Sequence, residues 1–397
     1  MPADRNRLTN TIQSMTWVEY TFWLSAFLIL FTYVGYPALM FGLSIFLRKP
    51  RSCDENHLPA VSMLVAAFNE EAVLAEKISN CLALDYPREK LEILIGSDGS
   101  NDGTNAIMAA HAGATIRVFP YASRRGKAAV LNALAGEARG EILVFSDANT
   151  MYRRDAIRRL VPYFADAQVG GVCGRLVLLN RNGLSEAEGE RFYWDYENYL
   201  KYLEGKIKTV FGANGAIYAI RRELYHPLPT SKAVMDDFLI PLHIVQRGYD
   251  IVYDKDAVVY ESAAPSLRAE FRRKVRIGAA NFHGIREILP LLSPTRGFVA
   301  FGLWSHKIIR WFAPFLLLAM LAANISLLGE PHYNLLFGLQ MAFYGAALCA
   351  WLLDALGLHV PVLIYPYYFV VVNLALLIGF FKFLTNSQRP AWARVER

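Results

Sequence analysis

Val61-Ser62-Met63-Leu64-Val65-Ala66-Ala67-Phe68-Asn69-Glu70-Glu71 is an apolar run that ends abruptly in polar residues. It reads as a buried strand over Val61–Ala66 followed by the start of a helix. Three runs of the same texture follow, Leu91–Ile95, Thr115–Val118 and Glu141–Phe145. Helical patterns lie between them: Glu70–Leu84, Thr104–Ala112 and Lys127–Ala135, the last stopped by Gly136. Alternating strands and helices argue for βαβ units and a mainly parallel sheet. Ligands of such sheets bind beyond the carboxyl ends of the strands, so the residues after each strand carry the functional reading.

At the first strand end, the Phe68 ring and the Glu70 carboxylate suit a nucleoside; a helix start capped by Asn69 explains them equally. The second strand runs into Gly96-Ser97-Asp98-Gly99-Ser100-Asn101-Asp102-Gly103-Thr104. Its glycines allow close approach to a ligand, and Asp98 suits a base or ribose; the alternative is a turn with Asp102 as helix cap. Arg124-Arg125-Gly126-Lys127 sets cations before a helix, where a diphosphate would sit, or else forms a solvated basic loop. The fourth strand ends in Ser146-Asp147-Ala148-Asn149-Thr150. Oxygens of Asp147 and Asn149 on one turn suit a divalent cation, which takes substrate phosphates as its other ligands. Later, Val234-Met235-Asp236-Asp237-Phe238 sets two carboxylates side by side before the helical Leu239–Arg247. Their repulsion would raise one pKa and prepare a base; helix capping by either acid is the alternative.

The surroundings are apolar. Of 397 residues, 54% are hydrophobic and 19% charged, with 41 Lys and Arg against 35 Asp and Glu, a net charge of +6. That excludes a disordered chain and exceeds the apolar content of an ordinary soluble protein. The excess sits at the two ends. Residues 17–47 are expected to form a transmembrane helix, and 311–384 about three more, near 311–329, 333–353 and 360–381. A domain over 58–262 lies between, with an interfacial amphipathic segment at 263–310 and tails at 1–16 and 385–397. Arg48, Lys49 and Arg51, and the cluster Arg268 to Arg276, lie beside apolar segments, which favours a cytoplasmic membrane face over a nucleic-acid partner. That layout leaves Arg389, Arg394 and Arg397 on the opposite side, against the positive-inside rule. Cys53, Cys81, Cys173 and Cys349 form no CxxC pattern, so neither a disulfide framework nor a metal site is expected from them.

In this order, the five segments resemble those of the family 2 glycosyltransferases. The flanking spans, with Tyr33-Val34-Gly35-Tyr36-Pro37 in the first, are similar to the membrane-embedded branch of cellulose, chitin, hyaluronan and poly-β-1,6-N-acetylglucosamine synthases. The resemblance implies an α/β GT-A fold and a UDP-sugar donor, with N-acetylglucosamine or glucose as the sugar. It implies Phe68 and Glu70 at the nucleoside, Asp98 at the base, Lys127 beside the donor, Asp147 as first carboxylate of the Asp-x-Asp metal motif, and Asp237 as catalytic base. Gly212-Ala213-Asn214-Gly215-Ala216 resembles the acceptor-facing loop, so Asn214, Gly215 and Asp236 are expected near the acceptor. Three departures stand out. Asn149 replaces the second metal carboxylate, which implies a weaker Mg²⁺ or Mn²⁺ site. Met235-Asp236-Asp237 replaces Thr-Glu-Asp. Arg273-Lys274-Val275-Arg276-Ile277 stands for Gln-x-x-Arg-Trp; Ile277 offers no stacking surface, while Arg273 and Arg276 remain for a diphosphate. The implied activity is inverting sugar transfer to an envelope or extracellular polysaccharide, at an inner membrane with the domain cytoplasmic. Single transfer to a lipid or lipid-linked acceptor is the alternative, and a catalytically degenerate membrane scaffold is a second one.

Overall fold

Trp17–Phe46 forms one long helix, α1. Thr16 and Glu19 close its first turn with a reciprocal capping box. A π-turn over Phe31–Gly35, in which the Tyr36 N–H donates to the Phe31 carbonyl, widens the helix just before Pro37. Proline brings no N–H to the helix ladder, and the wider turn lets the helix continue past it.

The computed structural model describes residues 15–179, 186–263, 266–356, 358 and 360–388. Most of the two tails, including Arg389, Arg394 and Arg397, falls outside these residues.

Beyond α1, the chain builds an eight-stranded sheet. β1 (Val61–Ala67), β2 (Leu91–Asp98), β3 (Ile116–Tyr121) and β4 (Ile142–Asp147) form a parallel half in the order β3-β2-β1-β4. β1 is buried at every position, as its unbroken apolar run requires. Helices α2 (Glu71–Leu82) and α3 (Lys127–Glu137) return the chain after β1 and β3. The other half holds β5 (Met151–Tyr152), β6 (Val169–Leu179), β7 (Tyr218–Arg221) and β8 (Asp250–Ser262). β7 runs antiparallel to both β4 and β6, β8 is parallel to β6, and β5 antiparallel to β8. The sheet is therefore mixed. β5 and β7 are too short to show an alternating pattern in sequence.

The later helices include α4 (Glu186–Ile207), α5 (Asp236–Gln246), α6 (Leu267–Ile288), α7 (Phe298–Ser326), α8 (Pro331–Asp354) and α9 (Pro361–Leu384), of which α4 and α5 pack against the sheet. With α1, the last three are long and apolar enough to cross a membrane. Domain and spans share one apolar core in which Phe238 and Phe282 meet Trp311, and Phe211 meets Phe298. At Gly302, a Cβ would stand 2.0 Å from the Phe211 ring, and at Gly379 one would stand 2.9 Å from the α6 backbone. Both glycines thus permit close packing of a span against the domain side.

α7 starts well before residue 311 and takes in the end of the segment expected to lie at the interface. The charges His306, Lys307 and Arg310 do not end it, because they face Glu197 and Glu204 of α4. A second π-turn, Leu303–Ile308, carries that charged stretch.

Candidate active site

The loops after β3 and β4 and the first turn of α5 converge on a cluster of charges. Lys127 Nζ lies 2.8 Å from Asp147 Oδ1 and 3.0 Å from Asp236 Oδ1. Burial works against the Lys127 ammonium, yet these two carboxylates outweigh it and hold its pKa above the ordinary lysine range. Asp236 is also fixed from the sheet: Phe145 and Tyr218 stack with centroids 4.5 Å apart, and the Tyr218 hydroxyl donates to Asp236 Oδ2 at 3.1 Å. Beside it, Asp237 Oδ2 accepts from the Gly215 N–H at 3.1 Å. A Cβ on Gly215 would come 3.1 Å from that oxygen, so the glycine keeps the backbone close. Burial, then repulsion by Asp236, push the Asp237 carboxyl up to about 6, with Lys127 opposing. Neither aspartate accepts the bond that caps α5; Met235 occupies the cap and its side chain makes none.

Where the resemblance expects the nucleoside, the Arg124 guanidinium lies 3.7 Å above the Phe68 ring. Glu70 donates its backbone N–H to Thr104, and Asn69 adopts a positive φ of 54° instead of capping α2. Asp98 is fully buried, and its carboxylate accepts from the N–H groups of Arg125 (2.6 Å) and Gly126 (3.1 Å). It therefore ties down the basic loop from inside.

The Asp147-Ala148-Asn149 turn is held from both sides by a residue the sequence reading did not single out. Lys77 of α2 is fully buried and donates to Ser146 Oγ and to the Thr150 carbonyl, each at 2.7 Å. Asn149 turns its amide nitrogen to Glu261 Oε1 at 3.0 Å. Burial pushes the Glu261 carboxyl up to about 7, against the pull of Arg273. Arg273 is itself enclosed by Glu190, Glu261 and Glu270, so its charge is spent within the protein. Arg276 makes no ion pair among the described residues and feels Asp147, Asp236 and Asp237. Of the two arginines, Arg276 is the one turned to the charge cluster. Among the described residues, no three His, Cys, Asp or Glu side chains converge as a metal site. One carboxylate at Asp147 with the Asn149 carbonyl still fits a cation that takes most of its oxygens from a bound diphosphate.

On the far side of Asp237 opens a cavity of about 720 Å³. Asp237, Met235 and Gly212 line its domain end; Leu30, Leu317, Phe343 and Phe369 of the four spans line the remainder. Ile277 also faces it. Asn214 does not. It is fully buried, receives Lys201 Nζ on its oxygen, and donates to the Gly174 carbonyl at 2.6 Å. Its part is to hold the loop that presents Gly215. Glu197 and Lys201 are wall residues that the sequence reading passed over. A signal was there: Glu190, Glu197, Lys201 and Glu204 recur at helical spacing on one buried face of α4.

The chain was compared with known proteins. Residues 59–280, more than half of it, match the family described as "Glycosyltransferase like family 2". A beta-monoglucosyldiacylglycerol synthase of Synechocystis is 32% identical over 172 residues, 41% of this chain and 35% of that one. A poly-beta-1,6-N-acetyl-D-glucosamine synthase of Staphylococcus aureus is 26% identical over 243 residues, 58% of this chain and 56% of that one. The chain thus spans well under two thirds of either relative. Among solved structures, the mannosyltransferase PcManGT from Pyrobaculum calidifontis, in complex with GDP-Man and Mn2+, superposes with a TM-score of 0.70 and 25% identity. That match covers 92% of this chain and 99% of the other.

Proposed function

The chain belongs to glycosyltransferase-like family 2 and carries its GT-A fold, and from that premise we propose that it moves one sugar from a nucleoside-diphosphate sugar to a lipid or lipid-linked acceptor, inverting the anomeric carbon. The carrying observation is that Asp237 lines a cavity that apolar residues of four candidate membrane spans also line. A hydroxyl on an amphipathic acceptor reaches the carboxylate there while its tail stays among those spans.

Asp237 takes the proton of the acceptor hydroxyl. The freed oxygen bonds to the anomeric carbon on the face opposite the diphosphate, and the bond from that carbon to the diphosphate oxygen breaks. A nucleoside diphosphate leaves. Lys127 and Arg276 meet the charge that grows on it, Lys127 exchanging part of its pairing with Asp147 and Asp236 for the phosphates. A divalent cation held by Asp147 and the Asn149 carbonyl would neutralise part of the same charge. Gly215 aims the base, and Asp98 fixes the loop that leads into Lys127.

UDP-linked glucose and N-acetylglucosamine suit the two relatives' products, while the archaeal neighbour was solved with GDP-Man. The donor test therefore spans both bases. Arg48, Lys49 and Arg51 at the domain end of α1 support a cytoplasmic domain on a plasma membrane. Addition to a growing polysaccharide is a second reading, favoured by the likeness to the staphylococcal synthase. Reconstitution of the full chain in a bacterial lipid extract with Mn²⁺, and with labelled UDP-glucose, UDP-N-acetylglucosamine or GDP-mannose in turn, separates the two. Nucleotide release with label in a small lipid-extractable product supports lipid transfer. Label in high-mass material overturns it in favour of the polymer. Release that persists in Asp237→Asn overturns the assigned base.

A further inference from the structure

The charges lining the cavity do not balance. Lys201, Lys274, Lys307 and Arg310 face it, against Glu197 and Asp237. Lys274 shares Glu270, at 3.4 Å, with Arg273. Glu197 alone serves three basic residues: Arg310, Lys307 at 3.3 Å and His306 at 3.2 Å. Glu204 is already engaged by Tyr36 at 2.9 Å and by His306 at 2.6 Å. Lys201 has no carboxylate within ion-pair distance among the described residues; it donates to the Ala213 carbonyl at 2.9 Å and to Asn214. Lys201 and Arg310 are both more than nine-tenths buried, and Arg310 Nε has no hydrogen-bond partner. At this buried place Lys307 and Arg310 thus share Glu197, and Lys201 meets no carboxylate among the described residues.

Uncompensated positive charge beside apolar side chains is strongly unfavourable unless an anion completes it. The location states which anion. The cations stand on α4 and α7 and line the same cavity as Leu30, Leu317 and Phe369. A free anion would leave that apolar part unfilled; a neutral lipid would leave the cations unmatched. Resting on the transfer reading above, we propose that the acceptor is a lipid whose hydroxyl-bearing head is joined to its tail through a phosphate or diphosphate, and that Lys201, Lys307 and Arg310 hold that group. The head then reaches Asp237, and the tail follows the spans. Lys and Arg suit this task as charge-assisted donors to phosphate oxygens. The transfer itself is unchanged: the hydroxyl proton passes to Asp237 and the lipid phosphate stays intact.

Native mass spectrometry of the detergent-purified full chain tests this with three probes: dioleoylglycerol, dioleoylphosphatidylglycerol and undecaprenyl diphosphate. Loss of a charge-assisted contact predicts at least about tenfold weaker adducts with dioleoylglycerol than with one of the phosphate lipids. Which phosphate lipid is retained identifies the source of the group. Lys201→Met and Lys307→Met should each erase most of that preference, and Lys307→Arg should keep it; unchanged gel-filtration behaviour shows that the variants are folded. Equal adducts with dioleoylglycerol, or a phosphate preference untouched by both Met variants, overturn the proposal. The transfer reading is scored separately. Asp237→Asn should retain the phosphate-lipid adduct while losing nucleotide release. A phosphate preference that depends on Lys201 and Lys307, with no transfer from any donor, supports the phosphate site while removing the transfer reading alone.

Discussion

The two sides of Asp237 handle charge in opposite ways. Toward the expected donor, Lys127 is matched by Asp147 and Asp236, and Arg273 by three glutamates, while Arg276 has no ion pair among the described residues. Toward the spans, Lys307 and Arg310 share Glu197, and Lys201 meets no carboxylate among the described residues. A balanced site can exchange partners: a diphosphate or a cation replaces an internal ion pair at small net cost. An unbalanced site stays poorly compensated until its ligand arrives. The contrast agrees with the proposed division of labour, a donor side that turns over a leaving group and an acceptor side that retains an anion.

The largest effect should come from the residue between the two. Asp237→Asn removes the proton acceptor and should lower the rate of nucleotide release about 10²–10⁴-fold. In the unaltered chain, Asp237 as the proposed base works only when ionised. Burial and Asp236 raise its carboxyl to about 6, so kcat/KM should be small below that pH, rise through it and level off above. A flat profile from pH 5 to 8 would remove Asp237 from this role.

Next come the neighbours that set that pKa, and they should act in opposite directions. Lys127→Met deletes a cation that favours the ionised carboxylate, so the acidic limb should move to higher pH. It should also slow release about 10²-fold, as loss of a donor to developing charge does elsewhere. Asp236→Asn deletes the repelling charge, so its limb should move to lower pH. Limbs that shift in the same direction would break the balanced description of the donor side.

A smaller loss is expected at Lys77, which touches neither ligand. Its ammonium bridges Ser146 and Thr150 beneath the Asp147 turn. Lys77→Met should cost about 1–3 kcal/mol of stability, since two buried acceptors lose their donor. If it positions Asp147, half-saturation by Mn²⁺ should rise while the pH limb of Asp237 stays put. A stability loss with unchanged Mn²⁺ dependence would make its part purely structural.

The separate pieces of the expected donor side show in sequence, because Lys127 follows a strand, Asp147 ends one, and Asp236 and Asp237 open a helix, although these positions lie far apart in the chain. Lys127, Asp147, Asp236 and Asp237 all stand out as polar residues beside apolar runs. The parallel half of the sheet was legible for the same reason, while β5 and β7 were too short to read. Partnerships between distant elements were not legible. Arg273 reads as a free cation until Glu190 and Glu261 are seen beside it. Asn214 reads as an acceptor contact until Gly174 and Lys201 enclose it. The start of α7 was hidden in the same way, because only its pairing with α4 makes charges at 306, 307 and 310 compatible with a buried helix.

The smallest expected effect tests whether Asn149 weakens the donor-side metal site. Restoring the family's second carboxylate with Asn149→Asp adds a ligand oxygen, yet places it where the amide now donates to Glu261 at 3.0 Å. The new carboxylate faces another and loses its hydrogen bond, so gain and repulsion largely cancel. Half-saturation by Mn²⁺, read from nucleotide release and from the electron paramagnetic resonance signal of free Mn²⁺, should change only about two- to threefold, the ordinary range for a surface charge change. Adding Glu261→Gln supplies an amide donor in place of the opposing charge. The pair should then bind Mn²⁺ about tenfold more tightly than Glu261→Gln alone, because coupled neighbours depart from additivity by 0.5–3 kcal/mol. If Asn149→Asp alone tightened Mn²⁺ tenfold, Glu261 would not be opposing it, and the donor side would be less closely balanced than its ion pairs indicate. If the double variant were additive, Asn149 and Glu261 would be independent, and their hydrogen bond would carry no weight in cation binding.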